Sequence, residues 1–130
     1  MIPAMKFSII IPTLNEEKTI ASCLLALQPL RSTCEIIIAD ATNTNDQPPH
    51  AHLADKIISS AKGRARQMNI GASHASGEIL LFLHADTYLP KNALQLIEQH
   101  ISHNRQWGRF DIQLSGNHFM LNVIAGGNAG

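Results

Sequence analysis

Three Ile- or Leu-rich stretches of five residues each run out into polar or turn-forming side chains, and this pattern constrains the fold more than any other feature. Phe7-Ser8-Ile9-Ile10-Ile11 leads into Pro12-Thr13-Leu14-Asn15-Glu16-Glu17, Glu35-Ile36-Ile37-Ile38-Ala39 into Asp40, and Ile79-Leu80-Leu81-Phe82-Leu83 into His84-Ala85-Asp86. Ile- and Leu-rich runs with little alternation suit strands covered on both faces, as in a parallel sheet. All carboxyl ends of such a sheet lie along one edge, and in open α/β folds the ligand crevice follows that edge. The Pro12–Glu16 turn, Asp40 and Asp86 are therefore expected to converge, although they lie far apart in the chain. For a lone Asp86, starting a turn or capping the next helix is the simpler reading. Three strands ending alike favour a site.

The predicted order is strand, helix, strand, irregular segment, short strand, helix, strand, helix, strand. The first helix is placed over Glu16–Leu27 with Thr13 or Asn15 as its cap and Ile20, Cys23, Leu24 and Leu27 as its buried stripe. Pro29 lies just beyond its end. Asn43, Asn45, Asp46, Pro48 and Pro49 break any helical period, so 42–55 reads as a loop. Lys56-Ile57-Ile58-Ser59 reads as a short strand at a sheet edge. A helix from Arg64 to His74 is expected to pack through Ala65, Met68 and Ala72, and one starting near Pro90 through Leu94, Ile97 and Ile101. Trp107–Ser115 alternates as a strand, whereas Phe119–Ile124 reads as the start of a helix.

With 130 residues, 45% of them hydrophobic, the chain suits a single domain, 1–130, with a real core. Ten basic and ten acidic residues cancel, which leaves no electrostatic case for nucleic acid. No run approaches the roughly 18 apolar residues of a membrane span, and the Phe7–Ile11 run is too short for a secretory leader. A cytoplasmic protein is expected, with peripheral attachment to a membrane left open. Cys23 and Cys34, both in apolar surroundings, are expected to be buried free thiols.

Between the third and fourth strands stands Lys62-Gly63-Arg64-Ala65-Arg66-Gln67-Met68-Asn69-Ile70-Gly71. Arg beside a helix amino terminus cradles an anion well, because the backbone dipole and the guanidinium act together. Two solvated charges on an amphipathic helix are the plainer alternative. An anion cradle and acidic residues on one rim make sense if Mg²⁺ or Mn²⁺ joins them through a substrate's phosphates. Asp40 is placed to accept hydrogen bonds from a base or ribose. No G-x-G-x-x-G follows the first strand and no G-x-x-x-x-G-K-[ST] occurs, which disfavours nicotinamide and P-loop chemistry. His100 and His103, and His50 and His52, lack the Cys or Glu neighbours that a zinc site needs.

Ser8–Glu17, Gly63–Asn69 and Leu81–Thr87 together resemble the nucleotide-sugar-dependent family-2 glycosyltransferases of glycosyltransferase A fold. The resemblance runs from about Met5 to Leu121. With Trp107-Gly108-Arg109-Phe110-Asp111 it is most similar to a small bacterial branch described as arsenosugar-biosynthesis-type transferases. The resemblance implies an α/β, Rossmann-like, mostly parallel sheet with flanking helices. It also implies inverting, metal-dependent sugar transfer from a nucleotide diphosphate to an unknown hydroxyl acceptor. Pro12, Thr13, Asn15, Glu16 and Asp40 would hold the nucleoside, with Arg64 and Asn69 near the base or phosphates. His84-Ala85-Asp86 stands at the family's Asp-x-Asp position, so Asp86 would bind the metal and His84 would meet ribose or phosphate.

Two departures qualify this. The family's Asp-Gly-x-Ser-x-Asp turn is replaced by Asp40-Ala41-Thr42-Asn43-Thr44-Asn45-Asp46, and Ala41 disfavours the positive φ that Gly permits. The family's late acidic general base has no counterpart after Asp111, and the Gly-rich end looks like a chain cut short. A non-catalytic nucleotide-binding module or an inactive remnant is thus the alternative reading. An exposed apolar region at Phe119–Ile124 would favour homo-oligomers.

Overall fold

The Ile-rich runs form the middle of one sheet. The computed structural model describes residues 7–42, 50–77, 79–85, 89, 94, 95 and 99, together with the backbone course of 108–114 and 117–125. The strands are β1 (Phe7–Thr13), β2 (Cys34–Asp40), β3 (Lys56–Ser59), β4 (Ile79–Phe82), β5 (Gly108–Leu114) and β6 (Asn117–Ala125). Helices α1 (Glu17–Leu27) and α2 (Arg64–Ser73) and two short 3₁₀ turns, Gln28–Leu30 and Ala51–Leu53, complete the described elements. The sheet order is β3-β2-β1-β4-β6-β5. The first four strands are parallel, β6 runs antiparallel to β4, and β5 antiparallel to β6. This is the expected α/β, mostly parallel sheet with flanking helices.

Alternation along the strands divides the core between two faces. Phe7, Ile9 and Ile11 lie beside Cys34, Ile36 and Ile38 in register, and α1 covers them with Ile20, Cys23, Leu24 and Leu27. Leu94, inside the helix expected after Pro90, joins this cluster. Ile97 and Ile101 lie outside the described residues. The other face, carrying Ile10, is packed by α2, which crosses β1 and β2. Fully burying each such Ile contributes about 1.5–3 kcal/mol.

Three expectations need correction. Phe119–Ile124 is not helical but belongs to β6. A six-residue apolar run carries no decisive period, and the slot beside β4 selects the extended form. Because β6 is bonded on both sides, this stretch is not an open edge; β3 and β5 bound the described sheet. On α2 the buried residues are Gln67 and Gly71, whereas Ala65 is exposed and Met68 and Ala72 are only partly covered. A Cβ at Gly71 would meet Ile10 Cγ2 at 2.5 Å, so the missing side chain is what lets the helix approach. Neither Thr13 nor Asn15 caps α1: Glu16 occupies that position with no side-chain cap bond. Thr13 is still in β1, and Asn15 takes a left-handed φ of 54°, which Asn tolerates better than most residues.

The amino-terminal rim of the sheet is a closed polar network. Glu35 Oε2 accepts bonds from Ser8 Oγ (2.6 Å), Ser76 N–H (2.6 Å) and Ser76 Oγ (2.8 Å), and Oε1 lies 3.5 Å from Lys56 Nζ. Ser8 Oγ accepts the Gly77 N–H in turn (2.8 Å). Burial alone would raise the Glu35 pKa, but the bonds from Ser8 and Ser76 and the Lys56 charge outweigh it and hold the carboxyl at about 2. Asp55 continues the β2–β3 ladder with its side chain, accepting the Ile36 N–H at 2.7 Å while its own N–H bonds Ile36 O. The same carboxylate pairs with Arg31 at 2.9 Å. Cys23 and Cys34 are buried free thiols, as expected. Burial, with Asp55 and Glu35 nearby and Arg31 opposing, pushes the Cys34 thiol up to about 12, which makes it unreactive.

Candidate functional site

The chain reverses its direction of travel through the sheet at β1. From β1 it steps outward to β2 and β3, then returns to place β4 on the other side of β1. The carboxyl ends of β1 and β4 thus form the topological switch point where crevices open in such sheets. Leu83 N–H bonds Ile10 O at 2.9 Å, which holds the exit of β4 against β1. A cleft of about 270 Å³ lies there, lined by Pro12, Glu16, Arg64, Gln67, His84 and Ala85.

The six lining residues arrive from four places in the chain. Pro12 comes from the end of β1, Glu16 from the start of α1, Arg64 and Gln67 from α2, and His84 and Ala85 from the turn after β4. The Glu16 carboxylate folds back to accept the Leu14 N–H at 3.0 Å, which shapes the β1–α1 loop from within. Gly63 precedes α2 with φ 136°, a backbone angle that side chains rarely adopt, and it delivers Arg64 as the first helical residue. Arg64 Nη2 lies 3.1 Å from His84 Nδ1. A guanidinium only donates, so Nδ1 accepts and the imidazole proton sits on Nε2. Lys62 and Arg66, both exposed, add positive charge around the same helix start.

Asp40 stands one strand away. Thr13 faces it in the β1–β2 register, and Thr13 Oγ1 donates to Asp40 Oδ1 at 2.9 Å. Thr42 N–H reaches the same oxygen at 3.2 Å, and Asn15 N–H bonds Thr42 Oγ1 at 2.8 Å. The loops after β1 and β2 are therefore laced together. Ala41 has no positive φ; its N–H bonds Thr13 O at 2.9 Å.

Of the residues singled out from sequence, Pro12, Glu16, Arg64 and His84 share the cleft. Thr13, Asn15 and Asp40 form the adjoining loop network, and Thr13 is buried, with its hydroxyl committed to Asp40. Asn69 is exposed on α2, away from the lining. Asp86 lies outside the described residues. Among those that are described, no group of three or more His, Cys, Asp or Glu side chains lies together to hold a cation. Gln67 was missed. It lies inside the Gly63–Asn69 stretch that carries the resemblance, but nothing in its spacing from Gly63 and Gly71 set it apart from a solvated glutamine.

The poly(ribitol-phosphate) β-N-acetylglucosaminyltransferase TarS of Staphylococcus aureus (strain Mu50 / ATCC 700699) is 29% identical over 113 aligned positions, covering 75% of this chain and 20% of the relative. The chain thus spans about a fifth of the length of the curated relatives it matches. The crystal structure of S. aureus TarS 1-349 superposes with a TM-score of 0.62 at 26% identity, covering 78% of this chain and 33% of that one. Mannosyltransferase PcManGT from Pyrobaculum calidifontis, in complex with GDP-Man and Mn²⁺, shares the fold with a TM-score of 0.60 at 20% identity, covering 81% and 34%. Glucosyl-3-phosphoglycerate synthase from Mycobacterium tuberculosis, in complex with Mn²⁺, UDP and glucosyl-3-phosphoglycerate, does so at 0.56 and 23%, covering 65% and 36%. The family model for glycosyl transferase family 2 matches residues 8–120. On that match and this topology, the chain belongs to glycosyl transferase family 2.

Proposed function

We propose that the cleft at the β1–β4 switch point is the donor site of a nucleotide-sugar glycosyltransferase. The observation that carries this reading is the meeting of the Pro12–Glu16 turn, Arg64 and His84, three separate stretches of chain, on one carboxyl-terminal rim. Arg64 at the start of α2 supplies charge and helix dipole for a diphosphate. Asp40, steadied by Thr13, and the Asn15–Glu16 loop would hold the nucleoside, with Asn69 farther out on α2. Related folds hold GDP-Man or UDP together with Mn²⁺, which supports the same ligand class here.

A divalent cation would take protein oxygen from Asp86 and the remainder from the diphosphate, as Mg²⁺ and Mn²⁺ commonly do. When bound, it would stabilise the departing nucleoside diphosphate. In the transfer, the bond from the anomeric carbon to phosphate breaks and one to an acceptor hydroxyl oxygen forms, with inversion. The acceptor proton needs a base, and no residue of this chain is assigned that part. The Gly63–Asn69, Phe82–Asp86 and Trp107–Asp111 segments support membership of the arsenosugar-type branch. Among the described residues no helix is long and apolar enough to cross a membrane; we place the protein in the cytoplasm.

The second reading is a module that binds nucleotide without transferring sugar. It is favoured by His84, which stands at the first acid of the family motif and contacts Arg64 instead of adding a carboxylate. Calorimetric titration with UDP and GDP, with and without Mn²⁺, tests the donor site. Metal-dependent binding that disappears in Asp86→Ala is expected, and no binding to either nucleotide would overturn the reading.

A further inference from the structure

We propose that Gln67 is a positioning residue that sets the Arg64 end of α2 against the ends of β1 and β2. Its side chain is 5% exposed, and both amide hydrogens are spent on strand carbonyls: Nε2 donates to Thr13 O at 2.8 Å and to Ala39 O at 2.9 Å. Oε1 accepts the Gly63 N–H at 3.4 Å. One buried amide thereby spans the seam between β1 and β2 and reaches back to the residue before Arg64.

Each anchor sits next to a group of the site. Thr13 holds Asp40 through its hydroxyl, Ala39 precedes Asp40, and Gly63 precedes Arg64. Gln67 also forms part of the cleft lining. Its chemistry is not replaceable by size alone. Leu or Met lacks the two donors, and an ionised Glu would turn acceptor oxygens toward two carbonyl oxygens. Buried carbonyls stripped of a donor are destabilising, so the helix start would move to find other partners. Because Arg64 reaches His84 from that helix start, a shift there is transmitted across the cleft. The proposal rests on the donor-site reading for what is positioned, but not for the positioning itself.

The test compares Gln67→Leu with Gly71→Ala in the full chain. Gly71→Ala sets a Cβ 2.5 Å from Ile10 Cγ2, pushing α2 off the strand one turn farther along, and serves as a control for general loosening of the helix. In ligand-free protein, the His84 imidazole NMR signals of Gln67→Leu should move toward those of Arg64→Ala, while Gly71→Ala keeps the wild-type signals. UDP affinity in the presence of Mn²⁺ should fall at least about tenfold in Gln67→Leu, and at equal loss of melting temperature by much less in Gly71→Ala. If Gln67→Leu does not fold, Gln67→Met keeps length and flexibility while removing both donors. Wild-type His84 signals in the Gln67 variant, or equal affinity losses in the two variants, would overturn the proposal. A wild-type chain that binds neither UDP nor GDP removes the donor-site reading, and the His84 signals then decide the positioning alone.

Discussion

The two rims of the sheet carry similar residue types and use them in opposite ways. At the amino-terminal rim Glu35 is buried and its carboxylate is surrounded by Ser8, Ser76 and Lys56. At the carboxyl-terminal rim Glu16 accepts one backbone bond, and Arg64 and His84 are exposed, with their side-chain hydrogen bond running between them. A carboxylate with every oxygen engaged can stabilise a fold but offers nothing to a ligand. Charges with few internal partners add little stability and remain available. The difference separates residues that hold this sheet together from residues that equip it.

The largest effect is therefore expected at the closed rim. Glu35→Ala leaves the Ser8 hydroxyl and the Ser76 N–H without their acceptor and should lower stability by about 3 kcal/mol, measured by urea denaturation. Nucleotide affinity of the folded fraction should not change, and a change would break the division between rims. Acid tests the same network. The folded carboxyl lies at about 2, below its ordinary 4.5, so its contribution is complete above pH 4.5 and drains away as pH falls towards 2. The loss should be roughly 2 kcal/mol once screening at the exposed Lys56 is allowed for. Glu35→Gln should flatten that slope.

The contrast also explains what could be read from sequence. The central strands were legible because runs such as Ile36-Ile37-Ile38 have no stable arrangement except between two covering layers. The rim followed, since parallel strands that run out at Thr13, Asp40 and Phe82 must present their ends, and the residues just beyond, together. What stayed hidden depends on partners far away in the chain. Gly71 matters only because Ile10 lies beneath it, and Gln67 only because the Thr13 and Ala39 carbonyls end beside it. Apolar periodicity on α2 therefore points to Ala65, Met68 and Ala72 and passes over both. Glu35 read as an ordinary strand residue until the register set Ser8 beside it. The segment 119–124 was ambiguous for the same reason, its form being decided by the vacant side of β4.

At the open rim the expectation reverses. Arg64→Ala removes an exposed side chain that bonds the His84 ring. Stability should stay within about 0.5 kcal/mol, whereas affinity for UDP with Mn²⁺ should fall about tenfold, or 1.4 kcal/mol. Thermal melting and calorimetry on the same sample give both numbers. A large drop in melting temperature with unchanged affinity would make Arg64 a structural residue and erase the contrast.

Asn15 tests whether the open rim stores strain. Its φ of 54° is the one positive value outside glycine among the described residues, and its N–H ties the β1 loop to Thr42 after β2. Alanine at this position must either accept the left-handed conformation, which costs about 1 kcal/mol, or give up the bond to Thr42. Glycine takes the angle without that cost, although its unfolded chain is more flexible, so the net change should lie within a few tenths of a kcal/mol. Chemical denaturation of Asn15→Ala and Asn15→Gly should therefore separate the two by about 1 kcal/mol, glycine being the more stable. If they coincide, backbone conformation at the site is relaxed, and the open rim differs from the closed one only in how many partners its charges have.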